Sequence, residues 1–155
     1  MAVSSDIAAT YSAYLEVAQA TAEERIERVR RGLPPTLVVQ LAHDLRIPDH
    51  SVSHFLGLSR ATLRRRMADD DRLTAQESEG PLAMALLAGR VVMAGQRASA
   101  DRTIASDPLR WLGRWIRTPV AELDGQAPIE YMDVGEGRAL VAKWLALALS
   151  AGDPP

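Results

Sequence analysis

Apolar residues recur at helical spacing along almost the whole chain, and no segment alternates apolar and polar residues as a half-buried strand would. The pattern predicts a helix over Ser5–Ala20 and a second over Ala22–Arg31. In the second, acids come early and arginines late, as the helix dipole favours, and Gly32 ends it. Pro34 and Pro35 open a third helix that runs to about Leu45, because proline is tolerated in a first turn. Short helices follow over Asp49–Leu56 and Ser59–Ala68. A long apolar helix from Thr74 to about Gly95 is expected to break or restart near Gly80-Pro81. Asp107 caps a helix that reaches Arg117, with Pro108 at its first position. Thr118–Val134 carries Pro119, Gly125 and Pro128 and should hold turns and one short helix, before a last helix over Gly135–Ala151.

The fold expected is therefore all-α: a helix-turn-helix domain followed by a second helical domain. The segments are 1–30, an N-terminal helical piece; 31–75, the helix-turn-helix; and 76–155, the second helical domain. The middle segment is the most informative. Two short helices meet at Leu56-Gly57-Leu58-Ser59, with glycine where the backbone needs a left-handed residue and serine placed to cap the second helix. Val52, Leu56, Leu58, Leu63 and Met67 should form the small core that sets two such helices at a steep angle.

On a wheel of roughly 100° per residue, Leu63 and Met67 define the buried side of the second helix. Ala61, Arg64, Arg65 and Ala68 then face outward, with Arg60 between. Alanines permit close approach to a major groove while arginines reach guanine edges or phosphates. The candidate DNA-binding residues are Ser59, Arg60, Thr62, Arg64, Arg65 and Arg66, the last nearer the core margin and directed to the DNA backbone. A solvated arginine face is the ordinary alternative for such a helix, and Asp69, Asp70 and Asp71 just beyond would repel phosphate unless the chain turns away.

The last helix carries two apolar stripes, Leu140-Trp144-Leu147 and Val141-Leu145-Leu149. A helix apolar nearly all round is buried on more than one side. Leaving three large side chains exposed would forgo on the order of 5 kcal/mol, at about 1.5–3 kcal/mol each. Its second side therefore meets another subunit or protein, or else the helix is wrapped by the rest of its own chain. The candidate interface comprises Trp115, Leu140, Val141, Trp144, Leu145 and Leu149. For Trp111 and Trp115, four apart on one face, a place in the core is the plainer reading.

Composition narrows the chemistry. The 47% apolar content suffices for a core, and the net charge of −2 argues against a general nucleic-acid coat but permits a local patch. Four arginines and no acid lie between Ser59 and Ala68. Cysteine is absent, which fits a reducing cytosol and removes thiolate metal sites. The chain opens without a signal-peptide layout, and its longest apolar stretch, Ala139–Leu149, is interrupted by Lys143 and too short to span a bilayer. A cytoplasmic protein without membrane contact is expected. His50 and His54 share a helix face, but no third ligand is in view, so no metal or cofactor is expected. Nor do Ser59, the glycines Gly89 and Gly95, or the scattered carboxylates Glu77, Glu79 and Asp101 make a catalytic constellation.

Three runs in the first half resemble Xre/MbcA/ParS-type antitoxins of type II toxin–antitoxin systems. They are Arg30-Arg31-Gly32-Leu33-Pro34, then Gly57-Leu58-Ser59-Arg60-Ala61-Thr62-Leu63-Arg64-Arg65-Arg66, then Leu73-Thr74-Ala75-Gln76-Glu77-Ser78. The second half is similar to that family's toxin-binding domain through Trp115-Ile116-Arg117-Thr118-Pro119 and Leu123-Asp124-Gly125-Gln126-Ala127-Pro128-Ile129. Gly135, Val141, Leu145 and Gly152 complete the series. The chain departs from the family at Gly80-Pro81, where a continuous helix is usual, at Leu112, and in its three aspartates. The resemblance implies a homodimer, not an enzyme, that represses its own operon by binding operator DNA. It also implies a cognate toxin, usually a RES-domain protein that consumes NAD, neutralised by burial of its active site. A stand-alone dimeric regulator and an adaptor whose arginine helix is merely solvated are the competing readings.

Overall fold

The computed structural model describes residues 2–151, all helices and turns with no strand among them. Gly152, the last residue of the family-like series, lies outside the described residues. Among the described residues nine α-helices follow in order: α1 Ala2–Gln19, α2 Ala22–Arg31, α3 Thr36–Leu45, α4 Asp49–Phe55, α5 Arg60–Ala68, α6 Ala75–Arg97, α7 Thr103–Ser106, α8 Pro108–Arg117 and α9 Gly135–Ala151. Their boundaries are written in local chemistry. Thr21 and Glu24 form a reciprocal capping box that starts α2, and Thr74 with Glu77 does the same for α6. Ser59 and Asp107 cap α5 and α8 through their side chains.

α6 is the axis of the molecule. It packs against α1, α2, α3, α7, α8 and α9, and buries Met84, Ala85, Leu87, Ala88, Val91 and Val92 around its circumference. The break expected at Gly80-Pro81 does not occur; α6 runs unbroken through Pro81. Its first turns are fixed independently of the proline. Beside the capping box, the Ser78 hydroxyl donates to the Thr74 carbonyl at 2.7 Å and accepts the Leu33 amide at 2.9 Å. Pro81 itself is buried, so packing offsets the one amide it withholds from the helix.

The apolar core is continuous from Tyr14 to Leu145, and the boundary expected near residue 75 falls at the start of a helix whose side chains belong to that shared core. α8 approaches α3 closely because Gly113 has no side chain: a Cβ there would collide with the Leu45 carbonyl. On the other flank the Tyr14 hydroxyl donates to the Asp44 carboxylate at 2.6 Å, joining α1 to α3. Burial, together with this bond and the Asp44 charge, pushes the Tyr14 phenol well above its usual range.

Two further differences from expectation are local. Residues 118–134 form two 3₁₀ turns, Ala121–Leu123 and Pro128–Tyr131, where one short helix was expected. Asp124 and Gly125, both at positive φ, separate them, and Pro128 restarts the second. α7, a single turn that buries Ile104, was not anticipated, since four residues are too few to show a period.

Candidate functional site

α4 and α5 make the bihelical unit. The Leu58 amide donates to the Ser53 carbonyl at 2.8 Å and the Gly57 amide to His54 at 3.2 Å, closing the last turn of α4. Gly57 stands at φ 75°, the left-handed conformation that lets the chain reverse within so few residues. Ser59 then caps α5: its oxygen accepts the Thr62 amide at 3.0 Å, and its hydroxyl donates to Thr62 Oγ1 at 2.7 Å. Val52, Leu56, Leu58 and Leu63 are buried as expected.

Met67 is not. It is 42% exposed, and the inner edge of α5 is instead lined by Thr62, Leu63 and Arg66. The buried face is thus centred roughly 70° from where the Leu63/Met67 pair put it, using 100° per residue. The outward face keeps Arg60, Ala61, Arg64, Arg65 and Ala68, all exposed.

Arg66 has partners of its own. Its guanidinium reaches Glu77 at 3.1 Å and Asp71 at 3.1 Å, with only 20% of the side chain exposed. It straps the end of α5 to the start of α6 and is occupied within the protein. Burial would raise the Glu77 carboxyl, but hydrogen bonds with Thr74 and the Arg66 guanidinium outweigh it and hold Glu77 below its usual range. The same strap answers the three aspartates. Asp70 takes the left-handed conformation at φ 50° and turns the chain, and Asp71 is held by Arg66. The pairing lay beyond a wheel, since Glu77 is eleven residues away on another helix.

In the second half the two stripes of α9 separate. Val141 (0% exposed) and Leu145 (1%) face the chain's own core, and Trp115 (9%) is buried as well. In this conformation these three offer little area to a partner, since α6 and the second 3₁₀ turn pack against α9 and that turn also packs against α8. Leu149 is half-buried. Leu140 and Leu147 stay 43% and 60% exposed, with half-buried Trp144 between them one helical turn from each. The helix wrapped by its own chain is α6, not α9.

Trp144 stands edge-on to Tyr131 at 5.4 Å, which fixes its indole. Beside it opens a cleft of about 330 Å³ between α9 and the 3₁₀ turns, lined by Trp115, Val120, Leu123, Pro128, Trp144 and Leu147 among others. Trp111 and Trp115 stack nearly parallel, 6.2 Å between ring centres, and both are buried. Leu147 and the cleft residues Val120 and Leu123 were missing from the expected interface. Leu147 stands on the Leu140-Trp144-Leu147 stripe but was not carried into the candidate set; the cleft residues carry no periodic signal. No helix among the described residues is long and apolar enough to cross a membrane.

The chain matches known proteins over both units. Residues 24–79, which contain the α4–α5 pair, match the antitoxin Xre-like helix-turn-helix domain. Residues 102–146, which contain α8, the 3₁₀ turns and most of α9, match the antitoxin Xre/MbcA/ParS C-terminal toxin-binding domain. Across 134 residues, 86% of this chain and 83% of the relative, it is 28% identical to the Prs ADP-ribosylating antitoxin of Sphingobium sp. (strain YBL2). The two matched domains span more than half the chain between them, in the order the helices lay them out, and the chain belongs to the Xre/MbcA/ParS-type antitoxins.

Proposed function

We propose that this antitoxin neutralises a toxin of the RES type, one that consumes NAD, by covering its active site with the outer face of α9, and that it represses its own operon through α5. The observation that carries the first part is the exposed strip Leu140-Trp144-Leu147 with its adjoining cleft, at the end of the segment that matches the toxin-binding domain and reaching one residue beyond it. Apolar area of this kind on a small chain is what a protein partner covers. The Sphingobium relative is named for ADP-ribosylation, a chemistry whose usual ADP-ribose donor is NAD, and this supports an NAD-consuming partner.

For DNA, the reading assigns base and phosphate contacts to Arg60, Arg64 and Arg65, with Ala61 and Ala68 allowing close approach. Ser59 and Thr62 fix the start of the helix, and their hydroxyls pair with one another. Arg66 acts as the strap that orients α5. A homodimer would present two copies of α5 to two half-sites, about one helical turn apart or a multiple of it. The protein works by binding, in the cytoplasm, and needs no cofactor.

The test is to co-express the chain with the product of its adjacent gene, isolate the complex and determine its mass. A stable complex in which NAD consumption is silent supports the reading. A lone homodimer beside a fully active neighbour would transfer the α9 strip to a dimer seam and leave a stand-alone regulator.

A further inference from the structure

On the other side of α9 from the cleft lies a groove of about 520 Å³, bounded by the C-terminal half of α6, by α7 and α8, and by the end of α9. Its floor is apolar, with Met93, Ile104, Trp111, Leu145 and Leu149. Its rim carries three guanidiniums, Arg90, Arg97 and Arg102, and among the described residues no carboxylate lines it. None of the three is in an ion pair among the described residues. Partial burial and the neighbouring Arg25 guanidinium both disfavour the charge on Arg90. Arg90, Met93 and Arg97 lie between the two matched segments, so neither assigned domain accounts for them.

We infer that this groove seats an acidic, apolar-anchored segment of the toxin, its carboxylates pairing with Arg90, Arg97 and Arg102 and its apolar side chains filling the floor. The inference rests on the reading of α9 as the toxin-binding helix. Two observations select this occupant. Arginine forks match carboxylates and phosphates alike, but a nucleic-acid backbone would leave the apolar floor uncovered. α9 also lines both concavities, Trp144 and Leu147 on the cleft and Leu145 and Leu149 on the groove. A partner straddling α9 would fill both.

The test uses the full-length protein and the purified product of the adjacent gene. Toxin affinity is measured by calorimetry at about 50 and about 300 mM salt, which spans strong and weak screening. The variants are Leu147→Asp and the triple charge reversal Arg90→Glu, Arg97→Glu, Arg102→Glu, with operator affinity and thermal melting followed in parallel. The triple variant should lose about 100-fold in toxin affinity and most of its salt dependence, with melting and operator affinity unchanged. Should the reversal unfold the protein, the triple Arg→Gln variant should show a loss of about tenfold. Unaltered toxin affinity and salt slope in a folded triple variant would overturn the inference, and so would a loss confined to operator affinity, which would make the groove a nucleic-acid site. If the wild type binds and only Leu147→Asp weakens it, α9 stands and the groove falls. If the wild type does not bind, both fall together.

Discussion

The outer faces of α5 and α9 differ in chemistry, and the proposed function gives them opposite problems of recognition. α5 exposes two alanines and three arginines, a surface that loses little in water and gains most against phosphate. α9 exposes Leu140 and Leu147 with Trp144 between them, a surface whose gain comes from leaving water. The inner sides of the two helices also differ. α5 is held by one leucine, a hydroxyl pair and the Arg66 strap, whereas α9 is anchored by Val141 and Leu145 in the main core. A short helix with so small an apolar footprint needs polar fixings to keep its orientation. A long one with two apolar stripes can spend one on its own chain and keep the other for a partner.

The sharpest way to break this comparison is within α9 itself. Leu145→Asp puts a carboxylate into the sealed core and should cost about 4 kcal/mol or more, enough to unfold much of the population; circular-dichroism melting would show it, with DNA and toxin binding lost together. Leu147→Asp, two residues away on the open face, should leave melting within about 0.5 kcal/mol and lower toxin affinity by about 100-fold, near 2.7 kcal/mol. Equal destabilisation by the two would mean that the outer stripe is not free.

On α5 the expected effect is smaller and of another kind. Arg64→Ala with Arg65→Ala should weaken operator binding by about 1–3 kcal/mol and reduce the salt slope by up to about 2, while toxin affinity holds. Filter binding or anisotropy across a salt series reads both; an unchanged slope would mean that these arginines do not meet DNA.

The smallest effect concerns the strap. Arg66→Ala should cost about 1 kcal/mol of stability, since the pair is largely shielded and joins two helices. The Glu77 carboxyl is held below its usual value in the folded protein, so its contribution is fully present above the ordinary glutamate pKa of about 4.3 and is lost as pH falls through the lower folded-state value. Melting curves between pH 7 and pH 3 should therefore converge for wild type and Glu77→Gln at the acid end, and a gap that widens there would contradict the assignment.

Much of the fold was legible because helix boundaries are decided locally. Gly32, Ser59, Asp107-Pro108 and Gly135 each mark an end within a residue of where the chain turns. Periodicity likewise found both stripes of α9 and the exposed arginines of α5. Which stripe meets the chain's own core is a different question, because Val141-Leu145 and Leu140-Trp144 are equally apolar and only tertiary packing distinguishes them. Met67 failed for the same reason: the strap to Glu77, distant in sequence, rotates the buried side of α5 towards Arg66. Pro81 misled because local propensity is a weak prior against the packing that surrounds α6.

The measurement that tests the account most directly is NAD consumption by the product of the adjacent gene, titrated with wild-type protein and with Leu147→Asp. The account predicts that wild type silences the activity at a fixed stoichiometry, and that the variant, still folded and still bound to operator, needs about 100-fold more protein to do so. Silencing by the variant at the wild-type ratio would contradict it, for the open face of α9 would then not be where the toxin is held.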